Sequence, residues 1–248
     1  MPFPAAGTDN SPMSRYFALV PAAGLGARFG GATPKQYLPL HGRPLLWHAV
    51  ATLALHPRIE RVFVVLHPDD EPFARQPWRD LGRIEGLRVG GETRADSVRN
   101  GLRAMTGAAN DDWVLVHDAA RPCLTAAMLD RLIAEVGDDD VGGLLAVPLA
   151  DTLKCADAQG RVLATEPRAG RWRAQTPQMF RHGLLLAALT ATREATDEAS
   201  AVEAMGLQPK LVMGSDLNLK VTWPEDLLLA ELVLRAAQPA ASPPADDV

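Results

Sequence analysis

A doubly wound α/β fold with a mostly parallel sheet follows from three features of the sequence. Short apolar runs are continuous rather than alternating, helix-period stretches separate them, and a glycine-rich segment follows the first run directly. Continuous apolarity over four or five residues marks strands covered by helices on both faces. Such runs, rich in Val and Leu, stand at 17–20, 62–66, 113–116 and 144–147. Between the second and third, Ala95, Val98, Leu102 and Met105 recur at helical spacing. Thr93 stands where that helix needs an N-cap, with Asp96 three residues on. Met128, Leu129, Leu132, Ile133 and Val136 form a second apolar stripe. Further on, Thr222-Trp223-Pro224-Glu225 reads as a capping box with an early-turn proline ahead of the apolar LLLAELVL.

The 248 residues could hold one generous domain or two small ones. The strand and helix order makes 16–237 a single Rossmann-like domain of that class. Residues 1–15 carry three prolines without periodicity, and 238–248 end in PAASPPADDV, so both read as flexible tails. One stretch resists the α/β pattern. Residues 151–175 are polar and basic, alternate over 160–165, and hold a turn signal at Ala158-Gln159-Gly160. They read as a protruding β-hairpin arm, with a long surface loop as the alternative.

Composition narrows the function. With 47% hydrophobic and 22% charged residues the chain has ordinary globular character, and no apolar run approaches the roughly 20 residues of a membrane span. The start of the chain lacks the pattern of a secretory signal, which implies a cytoplasmic protein. Its 25 basic and 30 acidic side chains, net charge -5, give no electrostatic basis for coating nucleic acid. Two cysteines, Cys123 and Cys155, are too few for a disulfide framework or a four-cysteine zinc site.

The first apolar run leads into PAAGLGARFGGATPKQY, where an open α/β sheet places its ligand. Gly24, Gly26, Gly30 and Gly31 allow phosphate oxygens to approach backbone N–H groups. The third glycine comes one residue too late for a dinucleotide fingerprint, and Lys35 lies in Pro-Lys-Gln rather than in the Gly-Lys-Ser/Thr of a P-loop. Arg28 and Lys35 instead put two fixed cations in the segment. That suits a triphosphate and the charge that develops as phosphorus is attacked, although both could be solvated surface charges. The 113–116 run ends in His117-Asp118-Ala119-Ala120-Arg121-Pro122. A carboxylate at a strand end is a natural Mg²⁺ ligand, and His117 beside a buried strand reads as a structural, hydrogen-bonded histidine rather than a base.

Together, ALVPAAGLGARFG, PKQYLPL, GGETRADSV, VLVHDAARP, DTLK, QTPQMF, TDEAS and NLKVTWPEDL resemble the 2-C-methyl-D-erythritol 4-phosphate cytidylyltransferase family of the non-mevalonate isoprenoid route. The pieces follow the family's order from about Phe17 to Arg235. Trp223 departs from it, standing where an arginine or a small residue is common, and the N-terminal extension is additional. The resemblance implies a nucleotidyltransferase fold and a CTP- and Mg²⁺-dependent reaction in which a substrate phosphate attacks the α-phosphorus and pyrophosphate leaves.

The family pattern also implies residue roles. Arg28 and Lys35 match transition-state stabilisers, and Ala22, Ala23, Gly24 and Gly26 match the loop around the nucleotide. Gly91, Asp96 and Ser97 match the cytosine and ribose end, and Asp118 matches the magnesium ligand. Arg121, Thr152, Arg168 and Lys220 match the methylerythritol phosphate site, with Arg168 and Lys220 aiming its phosphate. The arm would embrace a second subunit, making a homodimer in which Arg168 completes the neighbour's site. Asp197, Glu225 and Asp226 read as helix-terminus residues outside the site. Three other readings remain at this stage: a cytidylyltransferase for ribitol 5-phosphate or another polyol phosphate, a dinucleotide-dependent oxidoreductase, and a silent nucleotide-binding regulator.

Overall fold

The computed structural model describes residues 14–24, 33–192 and 194–237. The chain order is β1 (Tyr16–Pro21), β2 (Pro39–Leu40), β3 (Arg43–Pro44), α1 (Leu45–Leu55), β4 (Ile59–Val65), β5 (Ile84–Leu87), α2 (Arg94–Ala104), β6 (Trp113–Val116), α3 (Ala126–Val136) and β7 (Gly143–Pro148). Then come β8 (Leu153–Ala156), β9 (Val162–Glu166), β10 (Trp172–Arg181), α4 (His182–Ala191), α5 (Glu198–Glu203), β11 (Lys210–Met213) and α6 (Pro224–Ala236). Seven strands form one sheet in the order β11-β7-β10-β6-β1-β4-β5. Within it β10 runs antiparallel to both β6 and β7, while the other neighbouring pairs are parallel.

The four apolar runs lie in β1, β4, β6 and β7, and their residues alternate between two cores. Ala18 and Val20 join Val62, Val64 and Leu115 beneath Leu46, Val50 and Leu53 of α1 and Leu129, Leu132 and Ile133 of α3. Phe17 and Leu19 face the other way, with Phe63, Val65 and Val114, against Val98 and Leu102 of α2 and Leu185 and Leu189 of α4. Each fully buried Leu, Val or Phe contributes about 1.5–3 kcal/mol, so both faces must be covered, and the continuous apolar runs follow from that need. A smaller cluster of Leu40, Leu45, Cys123, Val221 and Ala230 seats α6.

The strand order reverses at β1, since β4 and β5 lie to one side and β6 to the other. In such a sheet the ligand crevice opens beyond the carboxyl ends of the strands at that reversal. The α2 start is the expected one: Thr93 Oγ1 accepts from Asp96 N at 3.0 Å, and the Asp96 carboxylate accepts from Thr93 N at 3.2 Å. At α6 the cap moves by one residue. Trp223 is the N-cap, and Asp226 rather than Glu225 accepts from the Thr222 and Trp223 N–H groups, at 2.7 and 2.8 Å. The register shifts because Pro224 occupies the first helical position.

The hairpin is present but shorter than 151–175. Among the described residues β8 and β9 pair only with each other, turning through Asp157–Gly160, where Gly160 takes φ +76°. Residues 172–175 belong instead to β10, whose first three pair with β7. Both faces of the hairpin are open, leaving Leu163 69% and Val162 63% exposed. Of the extension read at 1–15, Ser14 and Arg15 belong to the fold. Arg15 N donates to Asp112 Oδ1 at 3.0 Å, and its carbonyl accepts from Trp113 N. Residues 1–13 and the 238–248 tail lie outside the described residues.

Candidate active site

A cleft of about 650 Å³ opens at the carboxyl ends of β1 and β6. One wall is the segment after β1, where Ala22, Ala23 and Gly24 meet Lys35 and Gln36. Buried Gln36 donates through Nε2 to the Ala22 carbonyl at 2.9 Å, tying the two ends of that segment together. Lys35 Nζ donates to the Val221 carbonyl at 2.8 Å, which brings it to the stretch that carries Lys220. Gly90 supports this wall from behind: a Cβ there would lie 2.7 Å from the Leu66 carbonyl oxygen and collide with Ala23.

The second wall is Gly91, Glu92, Thr93, Arg94 and Ser97, at the start of α2. Ser97 Oγ accepts from Gly91 N at 3.1 Å and donates to the Thr93 carbonyl at 3.0 Å, which ties the turn to the first turn of the helix. Asp96 does not line the cleft. Its carboxylate is occupied by the Thr93 cap and by Arg99, and these partners hold it below the usual carboxylate range despite some desolvation. Arg94 and Ser97, three residues apart on α2, share the helix face toward the cleft, and Asp96 between them turns aside into the cap.

Asp118 forms the floor. Burial alone would push its carboxyl up, but Arg94 and Lys220 beside it hold it well below the ordinary range. Arg94 Nε donates to Oδ1 at 2.9 Å, and Lys220 Nζ lies 2.8 Å from Oδ2. The Asp118 N–H donates to Thr176 Oγ1 on β10 at 3.0 Å. His117 is fully buried and structural: Nε2 meets the Arg121 carbonyl and Nδ1 meets Thr176 Oγ1, each at 3.0 Å. A carbonyl only accepts, so Nε2 carries the proton and Nδ1 accepts from Thr176. Burial pushes this imidazole down to about 4, which keeps it neutral.

The residues assigned to the second substrate are not gathered in the same way. Lys220 lines the cleft. Arg121 is buried behind it, donating to the Asn218 carbonyl at 2.6 Å, with Nε 3.9 Å from Asp118 Oδ2. Thr152 is exposed at the base of the hairpin, and Arg168, also exposed, bonds the Ala150 carbonyl; neither lines this chain's cleft. Gly26 and Arg28 lie outside the described residues.

The IspD family model, 2-C-methyl-D-erythritol 4-phosphate cytidylyltransferase, matches residues 16–236. The chain belongs to this family. A protein of that name from Dechloromonas aromatica strain RCB is 64% identical over 226 residues, which is 90% of this chain and 99% of the relative. Another, from Azoarcus sp. strain BH72, is 57% identical over 222 residues, covering 89% of this chain and 94% of the relative. Among solved structures, a 4-diphosphocytidyl-2C-methyl-D-erythritol synthase superposes with a TM-score of 0.80 at 42% identity, covering 89% of this chain and 99% of that one. The cytidylyltransferase of that name from Thermus thermophilus gives 0.73 at 33% identity, with 89% and 99% covered.

Within this cytidylyltransferase fold, sequence reasoning missed Glu92, Arg94 and Glu198. Glu92 and Arg94 sit in the GGETRADS piece already assigned to the nucleotide, so the signal was present but was placed on Asp96. Glu198 gave a weaker one: an acidic residue directly after the Asp197 cap looks like ordinary first-turn chemistry. Asp197 itself is a cap, accepting from Ser200 N at 2.9 Å.

Proposed function

We propose that this chain transfers the CMP group of CTP to 2-C-methyl-D-erythritol 4-phosphate, giving 4-diphosphocytidyl-2-C-methyl-D-erythritol and pyrophosphate. The observation that carries the reading is the cleft at the β1 reversal, where Arg94 and Lys220 flank the Asp118 carboxylate and Lys35 lines the same cleft, inside a family match that spans residues 16–236. The substrate's phosphate oxygen forms a bond to the α-phosphorus as the bond to the β-phosphate oxygen breaks. A phosphate dianion is already a nucleophile, so no side chain need remove a proton. The difficulty is electrostatic, since one polyanion must approach another, and fixed cations supply the remedy.

Each residue then has a task. The Gly91–Ser97 turn offers backbone and small polar groups to the cytosine, leaving a purine no room. Ala22, Ala23, Gly24 and Gly26 wrap the triphosphate, and Arg28 and Lys35 stabilise charge at the α-phosphorus. Lys220 gives up Asp118 for the incoming phosphate, while Arg121 and Thr152 hold the polyol. Arg168 reaches the site of a second copy through the hairpin, whose exposed Val162 and Leu163 find cover there. A divalent cation fits on donor chemistry: Asp118 offers a hard oxygen at the cleft floor, and no cluster of three or more His, Cys, Asp or Glu forms a cage among the described residues. Mg²⁺ held by one carboxylate and substrate phosphates has that pattern, and it would neutralise triphosphate charge. A cytoplasmic site of action accords with a nucleotide substrate, with the free thiols of Cys123 and Cys155, and with no described helix being long and apolar enough to cross a membrane.

Pyrophosphate release from CTP tests the reading. Purified protein with Mg²⁺ should turn over 2-C-methyl-D-erythritol 4-phosphate much faster than ribitol 5-phosphate. The reverse preference would overturn the substrate, and NADH binding without CTP binding would overturn the reaction class.

A further inference from the structure

Glu198 is a carboxylate with no exposed surface, and a buried charge of this kind persists only when paired. Its partner is Arg94, which meets it in a two-pronged contact, Nη1 to Oε1 at 2.7 Å and Nη2 to Oε2 at 3.1 Å. Nε of the same guanidinium reaches Asp118 Oδ1 at 2.9 Å, and Nη2, shared with Glu198, lies at the same distance from that oxygen. One planar cation therefore bridges a carboxylate in the protein interior and the carboxylate on the cleft floor. The three residues come from three elements: the first residue of α2, the end of β6 and the first residue of α5.

The far end of this chain of contacts is anchored. Gln178 of β10 donates through Nε2 to Asp197 Oδ2 at 2.9 Å and accepts from Ala199 N at 2.8 Å. It therefore grips the start of α5 on both sides of Glu198. On the near side, the Asp118 backbone is held by Thr176 of the same strand. With Glu198 engaging both terminal nitrogens, the Arg94 plane is fixed, and so is the direction of its Nε. Asp118 is then left with Oδ1 committed and Oδ2 facing Lys220, whose side chain is 46% exposed and can change partner.

Charge leads to the same conclusion. Arg94 and Glu198 neutralise each other, so Arg94 orients Asp118 without cancelling its charge. A lone arginine at that place would compete with a bound cation for the carboxylate. A lysine could not do the same work, because a point charge lacks the fork that holds one carboxylate flat while addressing another.

We propose that Glu198 and Arg94 are positioning residues for the reaction: Glu198 locks the Arg94 guanidinium, which fixes the Asp118 carboxylate with Oδ1 held and Oδ2 directed toward Lys220 and the open cleft. The inference rests on the reading of Asp118 as a ligand-facing carboxylate.

The test compares Glu198→Gln, Arg94→Lys and Asp118→Asn with the unaltered chain. It measures turnover, CTP binding without the second substrate, and Mn²⁺ binding in the presence of CTP by water proton relaxation. Both positioning variants should lose about 10- to 100-fold in kcat and in Mn²⁺ affinity while CTP binding without metal is retained. The double variant should be no worse than the poorer single one, as expected of residues acting as one unit. Folded Glu198→Gln and Arg94→Lys proteins with unaltered kcat and Mn²⁺ affinity would overturn the proposal. So would loss of folded protein in both, since that assigns the pair to stability alone. Should Asp118→Asn also be harmless, the reading of Asp118 itself fails; harm at Asp118 alone refutes only the positioning pair.

Discussion

Lys220 Nζ lies 2.8 Å from Asp118 Oδ2, so the cation assigned to the incoming phosphate is paired with the carboxylate at the end of β6. The pair is lopsided. Asp118 is almost fully buried and has Arg94 as a second partner, whereas Lys220 is nearly half exposed. Arg94 keeps Asp118 paired, so the half-exposed Lys220 is free to exchange this partner for an incoming phosphate. Lys220→Ala should therefore keep the fold and CTP binding but lower kcat/KM for the second substrate by about 10²-fold or more. Steady-state kinetics with each substrate varied in turn would show this; an effect confined to CTP would contradict it.

Lys35 is expected to act chiefly on the transition state. Lys35→Ala should reduce kcat by about 10²–10³-fold while the dissociation constant for CTP changes much less. Equal losses in the two, measured by turnover and by equilibrium titration, would remove that division of labour.

Activity should require a divalent cation. Excess chelator should abolish pyrophosphate release, and added Mg²⁺ should restore it. Asp118→Asn should raise the Mg²⁺ concentration needed for half-maximal rate. Full activity in chelator would dismiss the requirement.

Much of this was legible in the chain because burial on both faces of a sheet leaves a direct mark. Val114 and Leu115 point to opposite cores, so neither can be polar, and the strand stands out. The Thr93 cap was equally plain, since its Asp96 partner is local. β11 was less readable: Leu211 and Met213 are exposed at the sheet's edge, and Val212 alone is buried. β10 was hidden because its polar Gln175, Thr176 and Gln178 are buried as hydrogen-bonding supports rather than exposed. The same limit applies to Glu198. Its meaning depends on Arg94, which is 104 residues away, and spacing along a chain does not reveal such a meeting.

The hairpin gives a complementation test. Inactive Arg168→Ala and Lys35→Ala chains, mixed after demonstrated subunit exchange, should recover activity, because one kind of site would receive both intact groups. Leu163→Glu should weaken self-association, as read by sedimentation. Absence of rescue would place Arg168 in its own chain's site.

His117 predicts a pH effect on stability. Its folded value near 4 lies below the ordinary 6.5, so the unfolded chain takes up the proton first as pH falls. The contribution is present above about 6.5 and is lost as pH drops toward 4, on the order of 3 kcal/mol in full. His48, also pushed down by burial, acts in the same direction. Urea midpoints should decline across that window and decline less in His117→Gln; parallel curves would contradict the assignment.

One ribbon of chain, β10, has its amino end at the hairpin and its middle under Thr176 and Gln178, the two props of Asp118 and α5. The strand that leaves the exposed hairpin is thus the same one that braces the cleft floor, so the outermost and the most deeply buried parts of the site share a single backbone.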